Sequence, residues 1–163
     1  VRRLVKAYVV DVDAGAAAAF AAEMTARLGF EVAPAGAAAA LRDADIVATA
    51  TTASTTVFED GDLKPGAHIN AVGSYKPHVR EIPGATVRRA SIFVDERRSA
   101  LEEAGDLIIP LREGLIGPGH IKAEIGEVLA GTAPGRLSED EITLFKSVGN
   151  AVEDLAVAGL VLG

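Results

Sequence analysis

Short runs of apolar, often β-branched residues recur along the chain and alternate with stretches of helical periodicity. Runs of this kind, bounded by glycine, proline or acidic residues, are typical of buried strands. The predicted strands are residues 5–10, 30–33, 46–50, 67–72, 92–94, 107–109 and 142–148. The predicted helices are 13–29, 35–41, 96–104, 121–129 and 150–162. This alternation predicts an α/β fold with a mostly parallel sheet and helices on both of its faces.

The first of these helices has recognisable start and end signals. Phe20, Met24 and Leu28 recur at intervals of four and form one apolar stripe. Asp13 precedes the stripe and can cap its start, and Gly29 can end it. The sequence therefore fixes the expected limits of this helix at both ends.

Charge and composition exclude several classes of function. The 163 residues include 16 Lys and Arg against 23 Asp and Glu, a net charge of −7, so there is no basic excess to bind nucleic acid. The chain has no cysteine, which excludes a disulfide scaffold, a thiolate zinc site and a cysteine nucleophile. Its three histidines are scattered, and we expect no metal site.

The chain also lacks the apolar segments of membrane and secreted proteins. No stretch reaches the roughly 18 uncharged apolar residues that a membrane span requires. The first residues, Val1 to Lys6, have no long apolar core of the signal-peptide kind. We therefore expect a cytoplasmic protein that binds neither a membrane nor nucleic acid. The first residue is not Met, which is a first indication that the chain is a piece of something longer.

Candidate chemistry lies where the predicted strands end, because ligands of open α/β sheets bind at the carboxyl ends of the strands. Asp11 ends the first strand, where a carboxylate can accept both hydroxyls of an adenosine ribose and would repel a 2′-phosphate. The position therefore predicts NAD rather than NADP. The alternative is that Asp11 merely caps the next helix, although Asp13 is better placed to do so.

A second candidate site is the strand end 49–54, which contains Ala50, Thr51 and Thr52. Small side chains there would admit a ring or a ribose, and the hydroxyls would supply hydrogen bonds. The alternative is a threonine-rich strand end that satisfies its own turn.

A third candidate is Val72-Gly73, directly after the fourth strand. A glycine at this place indicates either a turn that needs positive φ or the close approach of a ligand. The fourth is Ser147, Val148 and Gly149, where the last strand enters the last helix. Free N–H groups and the positive end of a helix dipole would suit a carboxamide or carboxylate; a tight turn is the alternative.

One element of a dinucleotide-binding fold is missing. Such folds carry a G-x-G-x-x-G loop between the first strand and first helix, and an acidic residue about 20 residues later at the end of the second strand. No such loop occurs in this sequence. We therefore expect the chain to begin after the loop and to form a Rossmann-like sheet that is incomplete at its N-terminal side.

Three segments in order resemble the ornithine cyclodeaminase/mu-crystallin family: 69–77 (INAVGSYKP), 123–131 (AEIGEVLAG) and 143–154 (TLFKSVGNAVED). The threonine-rich strand end near Thr51 fits the same pattern. The resemblance runs from about Val5 to the C-terminus and covers roughly the second half of the family's length. It implies an NAD(P)-dependent homodimer that passes hydride between a nicotinamide and the α-carbon of a small amino or imino acid.

The resemblance also implies a domain organisation and a site. Residues 1–163 would be a partial NAD(P)-binding Rossmann domain whose C-terminal helix returns toward an absent dimerisation and substrate-binding half. We expect such a piece alone to bind cofactor weakly or not at all, and to be inactive. Asp11 would hold the adenosine ribose, and Thr51 and Thr52 would line the adenosine side. Val72, Gly73 and the segment 147–149 would frame the nicotinamide.

Tyr75 departs from the family pattern. Cyclodeaminases and the related alanine dehydrogenases carry an acid/base Asp at this position, two residues before Pro77. A tyrosine, with a reference pKa near ~10, is a poor base at neutral pH but can donate a hydrogen bond. The departure favours imine or ketimine reduction over ornithine cyclodeaminase activity. A side chain that only packs against a wall is the alternative for Tyr75, and a non-catalytic ligand-binding protein of the mu-crystallin kind is the alternative for the chain.

Overall fold

The computed structural model describes residues 3–162. Residues 1, 2 and 163 lie outside this range. The first residue, on which the expectation of a longer chain rests, is one of them. Within residues 3–162, every helix is too short or too polar to cross a membrane.

Contacts within the chain divide it into two compact units. The first runs to Ala44 and includes 61–64, and the second comprises 45–60 and the chain from Pro65 onward. In the first unit the elements are β1 (Lys6–Val9), α1 (Ala14–Leu28), β2 (Glu31–Pro34) and α2 (Ala37–Asp43). The strands β1 and β2 pair in parallel, as a β-α-β connection requires.

The ends of α1 confirm the two signals in the sequence. The Asp13 carboxylate accepts hydrogen bonds from the backbone N–H groups of Gly15 and Ala16, at 2.8 and 3.0 Å. Gly29 ends the helix in the left-handed conformation, with φ of 73°. Asp13 therefore supplies acceptors for helix donors that have no partner within α1.

The second unit is a five-stranded parallel sheet with the strand order β3-β4-β7-β5-β6. Its strands are β3 (Ile46–Thr49), β4 (His68–Ala71), β5 (Ser91–Val94), β6 (Ile121–Glu124) and β7 (Thr143–Lys146). Its helices are α3 (Gly84–Arg89), α4 (Arg97–Glu103), α5 (Gly105–Arg112), α6 (Ile125–Leu129) and α7 (Ala151–Leu162). Single 3₁₀ turns occur at Asp60–Asp62 and Pro118–His120. The α/β architecture with a parallel sheet is as the sequence predicts.

Two of the predicted elements are wrong. Residues 107–109 form part of α5 and are not a strand; Leu107 and Ile108 are buried in that helix. A short apolar run fits a buried helix as well as a strand, so its periodicity could not separate the two. The predicted helix 121–129 divides into β6 and α6, and a capping box between Glu124 and Glu127 marks the division.

An ion pair is buried beneath the sheet. Lys146 is the last residue of β7 and lies on the same face of the sheet as Leu144, two residues earlier. Both side chains are fully buried. The Lys146 Nζ lies 3.2 Å from Oδ2 of Asp106, which is also fully buried near the start of α5. Burial raises the pKa of the Asp106 carboxyl, and the Lys146 ammonium opposes that rise. Each charge in this pair depends on the other, because neither has access to solvent.

Replacing Lys146 with Met should therefore destabilise the fold in a pH-dependent way. Because the folded-state pKa of Asp106 is raised, its protonated form favours the folded state, and that advantage is lost as the pH rises through the folded-state value. Without Lys146 the charged carboxylate is uncompensated. We expect the loss in unfolding free energy to be about 3–5 kcal/mol at about pH 8, and to shrink as the pH is lowered toward about 5. Urea unfolding of both proteins across this pH range measures it.

The double variant Lys146→Met with Asp106→Asn is the matched control for this prediction. Asn keeps a carbonyl oxygen at the position of the carboxylate and carries no charge. The double variant should recover part of the stability at pH 8 and show a smaller pH dependence than Lys146→Met. A stability loss of equal size at every pH would contradict the assigned role of the pair.

Candidate functional site

A cavity of about 150 Å³ opens beside the carboxyl ends of β3 and β4. Its lining residues come from the two loops that follow these strands: Thr51, Thr52, Ala53, Gly73, Tyr75, Lys76 and Val79. The structure therefore brings together Thr51, Thr52, Gly73 and Tyr75, which the sequence analysis selected in two separate segments. Ala50 and Val72 are the chain neighbours of lining residues but do not line the cavity.

The two loops are hydrogen-bonded to each other where they leave the strands. The Thr49 carbonyl, the last of β3, accepts hydrogen bonds from the backbone N–H groups of Val72 and Gly73, at 3.0 and 3.1 Å. Thr49 is itself buried. This pairing extends the contact between β3 and β4 beyond the strands, so the loops leave the sheet side by side.

A second and deeper link between the loops is the carboxylate of Glu81, which is fully buried. Its Oε1 accepts the N–H of Thr51 at 2.7 Å, and its Oε2 accepts the N–H of Ser74 at 3.1 Å. One side chain thus satisfies one backbone donor in each loop. Sequence reasoning missed Glu81, because a lone acid beside Arg80 has the appearance of ordinary surface charge.

Glu81 also explains why residue 73 is a glycine. A Cβ at Gly73 would lie 2.4 and 2.5 Å from the two carboxylate oxygens of Glu81. Gly73 is not among the glycines with positive φ, so of the two interpretations offered by the sequence, the turn that needs positive φ is wrong, and the close approach of a ligand stays a prediction. The space that a side chain would fill is taken by the carboxylate behind the loop.

Asp106 holds the segment that carries Glu81. Its Oδ1 accepts the backbone N–H groups of Glu81 and Ile82, at 2.7 and 3.0 Å, while its Oδ2 faces Lys146. A continuous series of buried contacts therefore runs from β7 through α5 to the segment at 81–82 and on to the cavity loops.

The strand end at 147–149 is organised by Asp95, which directly follows β5. Its Oδ2 accepts the Ser147 hydroxyl at 2.9 Å and the N–H groups of Val148 and Gly149 at 2.9 and 2.8 Å. These amides already have an acceptor within the chain, whereas a ligand site of the kind considered for this segment would use free N–H groups. Residues 147–149 do not line the cavity, and a cofactor contact through them stays a prediction.

Asp11 belongs to the first unit and is exposed. Its Oδ1 accepts the backbone N–H of Asp13 at 2.8 Å, which fixes the turn that leads into α1. The helix cap itself is Asp13. Asp11 therefore supports the cap from outside the helix, and a role in holding a ribose stays a prediction.

Tyr75 and Lys76 form the exposed rim of the cavity. The Tyr75 side chain is 57% exposed, and the Lys76 Nζ lies 5.5 Å from the centre of its ring, within the range of a cation–π interaction. A phenol in this setting can donate a hydrogen bond to a molecule in the cavity. Its accessibility leaves both a catalytic and a packing role open.

The chain is similar in sequence to proteins of one known family. The family model for the ornithine cyclodeaminase/mu-crystallin family matches residues 2–162. A Delta(1)-pyrroline-2-carboxylate reductase of Bacillus cereus is 48% identical over 120 residues, which is 73% of this chain and 37% of that protein. The ketimine reductase mu-crystallin of Mus musculus is 42% identical over 122 residues, 75% of this chain and 36% of that protein.

Two solved structures have the same fold. The Delta(1)-pyrroline-2-carboxylate reductase of Thermococcus litoralis, in complex with NADH and L-proline, has a TM-score of 0.92 and 44% identity, over 96% of this chain and 49% of that chain. An archaeal alanine dehydrogenase dimer with bound NAD has a TM-score of 0.90 and 33% identity, over 97% and 48%. This chain therefore spans about half the length of the structures it matches, and it belongs to the ornithine cyclodeaminase/mu-crystallin family.

Proposed function

We propose that the protein carrying this sequence is an NAD-dependent reductase of a small cyclic imino acid, of the imine or ketimine reductase type. The observation that carries the proposal is the likeness, over 96% of this chain, to a reductase whose structure holds NADH and L-proline. The curated relatives named above reduce substrates of the same class by name. Amino-acid dehydrogenation, the reverse kind of hydride transfer, is the related activity.

The cavity at the ends of β3 and β4 suits one part of a dinucleotide. It lies at the carboxyl ends of parallel strands, where nucleotides bind in open α/β sheets, and its lining combines hydroxyls with small side chains. We propose that Thr51 and Thr52 donate hydrogen bonds to the adenosine side, beside the small Ala50. Bound NADH would supply the hydride that reduces the carbon–nitrogen double bond.

On the nicotinamide side, we propose contacts from Val72 and Gly73 and from the segment 147–149. Val72 is exposed directly after β4 and offers an apolar surface to a flat ring. Asp95 takes the Val148 and Gly149 amides, so this segment would contact a carboxamide through the shape of the turn rather than through free N–H groups.

The working protein is proposed to be a cytoplasmic homodimer that participates in amino-acid metabolism. The archaeal neighbour is described as a dimer, which supports the homodimer. The net charge of −7 leaves no basic excess for contacts to phosphates, which supports a partner set without nucleic acid.

The central test is reduction of Δ1-pyrroline-2-carboxylate with NADH, followed by the loss of absorbance at 340 nm. We expect turnover to proline, with NADH used in preference to NADPH. Release of ammonia and proline from ornithine would instead identify a cyclodeaminase. Tight NADH binding without turnover of any cyclic imino acid would identify a non-catalytic binding protein.

Asp11→Ala should weaken NADH binding about tenfold, the size expected for lost hydrogen bonds to a charged acceptor, and should change NADPH binding much less. Asp11→Asn is the matched variant, because it keeps an acceptor for the Asp13 N–H while it removes the charge. Fluorescence titration of both cofactors measures the effect. Equal losses for NADH and NADPH, or no loss, would contradict the ribose assignment.

Tyr75→Phe should lower kcat/KM for the imino acid about tenfold, because one hydrogen bond from the phenol is lost. NADH affinity should stay unchanged. Tyr8→Phe is the control, since Tyr8 is the other of the chain's two tyrosines and donates its hydroxyl to Asp43 in the first unit. Unchanged steady-state kinetics in Tyr75→Phe would show that this ring only packs.

A further inference from the structure

The buried carboxylate of Glu81 is a costly group, and its direct contacts are with the two loops beside the cavity. Within the part of the chain that the structure describes, Glu81 has no ion-pair partner, and its two oxygens are used by the N–H groups of Thr51 and Ser74. Burying a charge without a counter-ion is unfavourable. An apolar residue of similar size would avoid the buried charge, but it would leave the N–H groups of both loops without an acceptor. The carboxylate therefore serves the two loops rather than the packing of the core.

The carboxylate fixes the position of one cavity loop relative to the other. Thr51 follows β3 and Ser74 follows β4, and each is adjacent in sequence to residues that line the cavity, Thr52 and Tyr75. The two N–H donors converge on one rigid planar group. A displacement of either loop would therefore break a charge-assisted hydrogen bond.

Glu81 itself is prevented from following such a displacement. Its N–H is bound to Asp106, and its carbonyl accepts the N–H of Val57 at 2.9 Å. Asp106 in turn pairs with Lys146 in β7, the central strand of the sheet. The position of the Glu81 backbone is therefore fixed by Asp106 and, through it, by β7, rather than by either cavity loop.

We propose that Glu81 is a positioning residue for the proposed reductase: it sets the separation of the two cavity walls, and so holds Tyr75 in place relative to the bound cofactor. The proposal rests on the proposed function for its kinetic consequence, but its structural half concerns the two loops alone. Both N–H groups must find an acceptor oxygen at the same time. A carboxylate provides two, whereas a glutamine amide provides only one.

The test is Glu81→Gln, in which one loop N–H faces an NH₂ group and loses its acceptor. We expect NADH binding to weaken about tenfold and kcat/KM for the imino acid to fall by at least as much. In the absence of cofactor, whichever of the Thr51 and Ser74 amides loses its acceptor should exchange with solvent about tenfold faster, measured by hydrogen exchange below the melting temperature.

Glu141→Gln is the matched control. Glu141 also accepts two hydrogen bonds from separate segments, from the Ser91 hydroxyl and the Leu137 N–H, but it precedes β7 and is remote from the cavity lining. This variant should leave NADH binding, kinetics and the exchange of the Thr51 and Ser74 amides unchanged. If Glu81→Gln fails to fold, Gly73→Ala replaces it, because the added Cβ would displace the Glu81 carboxylate. Since Gly73 itself lines the cavity, only the exchange of the Thr51 and Ser74 amides without cofactor is then compared; faster exchange supports the inference and unchanged exchange overturns it.

The outcomes separate the two proposals. A lower melting temperature with unchanged NADH affinity, kinetics and amide exchange would show that Glu81 is merely structural and would overturn the inference. A wild-type protein that binds neither cofactor refutes the proposed function, and the exchange of the two amides then decides the role of Glu81. Faster exchange at either amide in Glu81→Gln supports the positioning role, and unchanged exchange at both amides overturns it.

Discussion

Where a parallel strand ends, the backbone N–H groups of the loop that follows no longer find acceptors in the sheet. When these groups are buried, they need an acceptor elsewhere in the chain. In the second unit, carboxylates meet this need. Glu81 serves the loops after β3 and β4, Asp95 serves the loop after β7, and Asp106 serves the segment that carries Glu81. The two loops that line the cavity therefore depend on where Glu81 and Asp106 are held, and the turn at 147–149 depends on Asp95.

The buried pair of Asp106 and Lys146 connects this loop architecture to the sheet. Its net contribution to stability is small or unfavourable by the usual balance of desolvation against attraction. Its geometric consequence is large, because Asp106 uses one oxygen for the ion pair and the other for two backbone donors. The same side chain therefore couples the charge balance of the core to the position of Glu81.

The sequence predicted the lining of the cavity better than its support. Thr51, Thr52, Gly73 and Tyr75 were accessible to sequence reasoning because the rule for strand ends selects positions along the chain. Glu81 and Asp95 were not, since their role depends on contacts 30 and 54 residues away, and an acid next to other charged residues resembles solvated surface. The run 107–109 failed for a related reason: its burial against other helices, not its own periodicity, decides that it is helical.

The start of α5 shows how little freedom the cavity wall has. At Gly105, a single methyl group would lie 1.9 Å from the Val79 carbonyl oxygen and 2.5 Å from that of Lys76, so here main chain touches main chain without any intervening side chain. Lys76 and Val79 both face the cavity. Substitutions at Lys76 and Val79 can change the side chains on this wall and so change what the cavity accepts. The main chain of the wall cannot move toward α5 unless the helix moves as well.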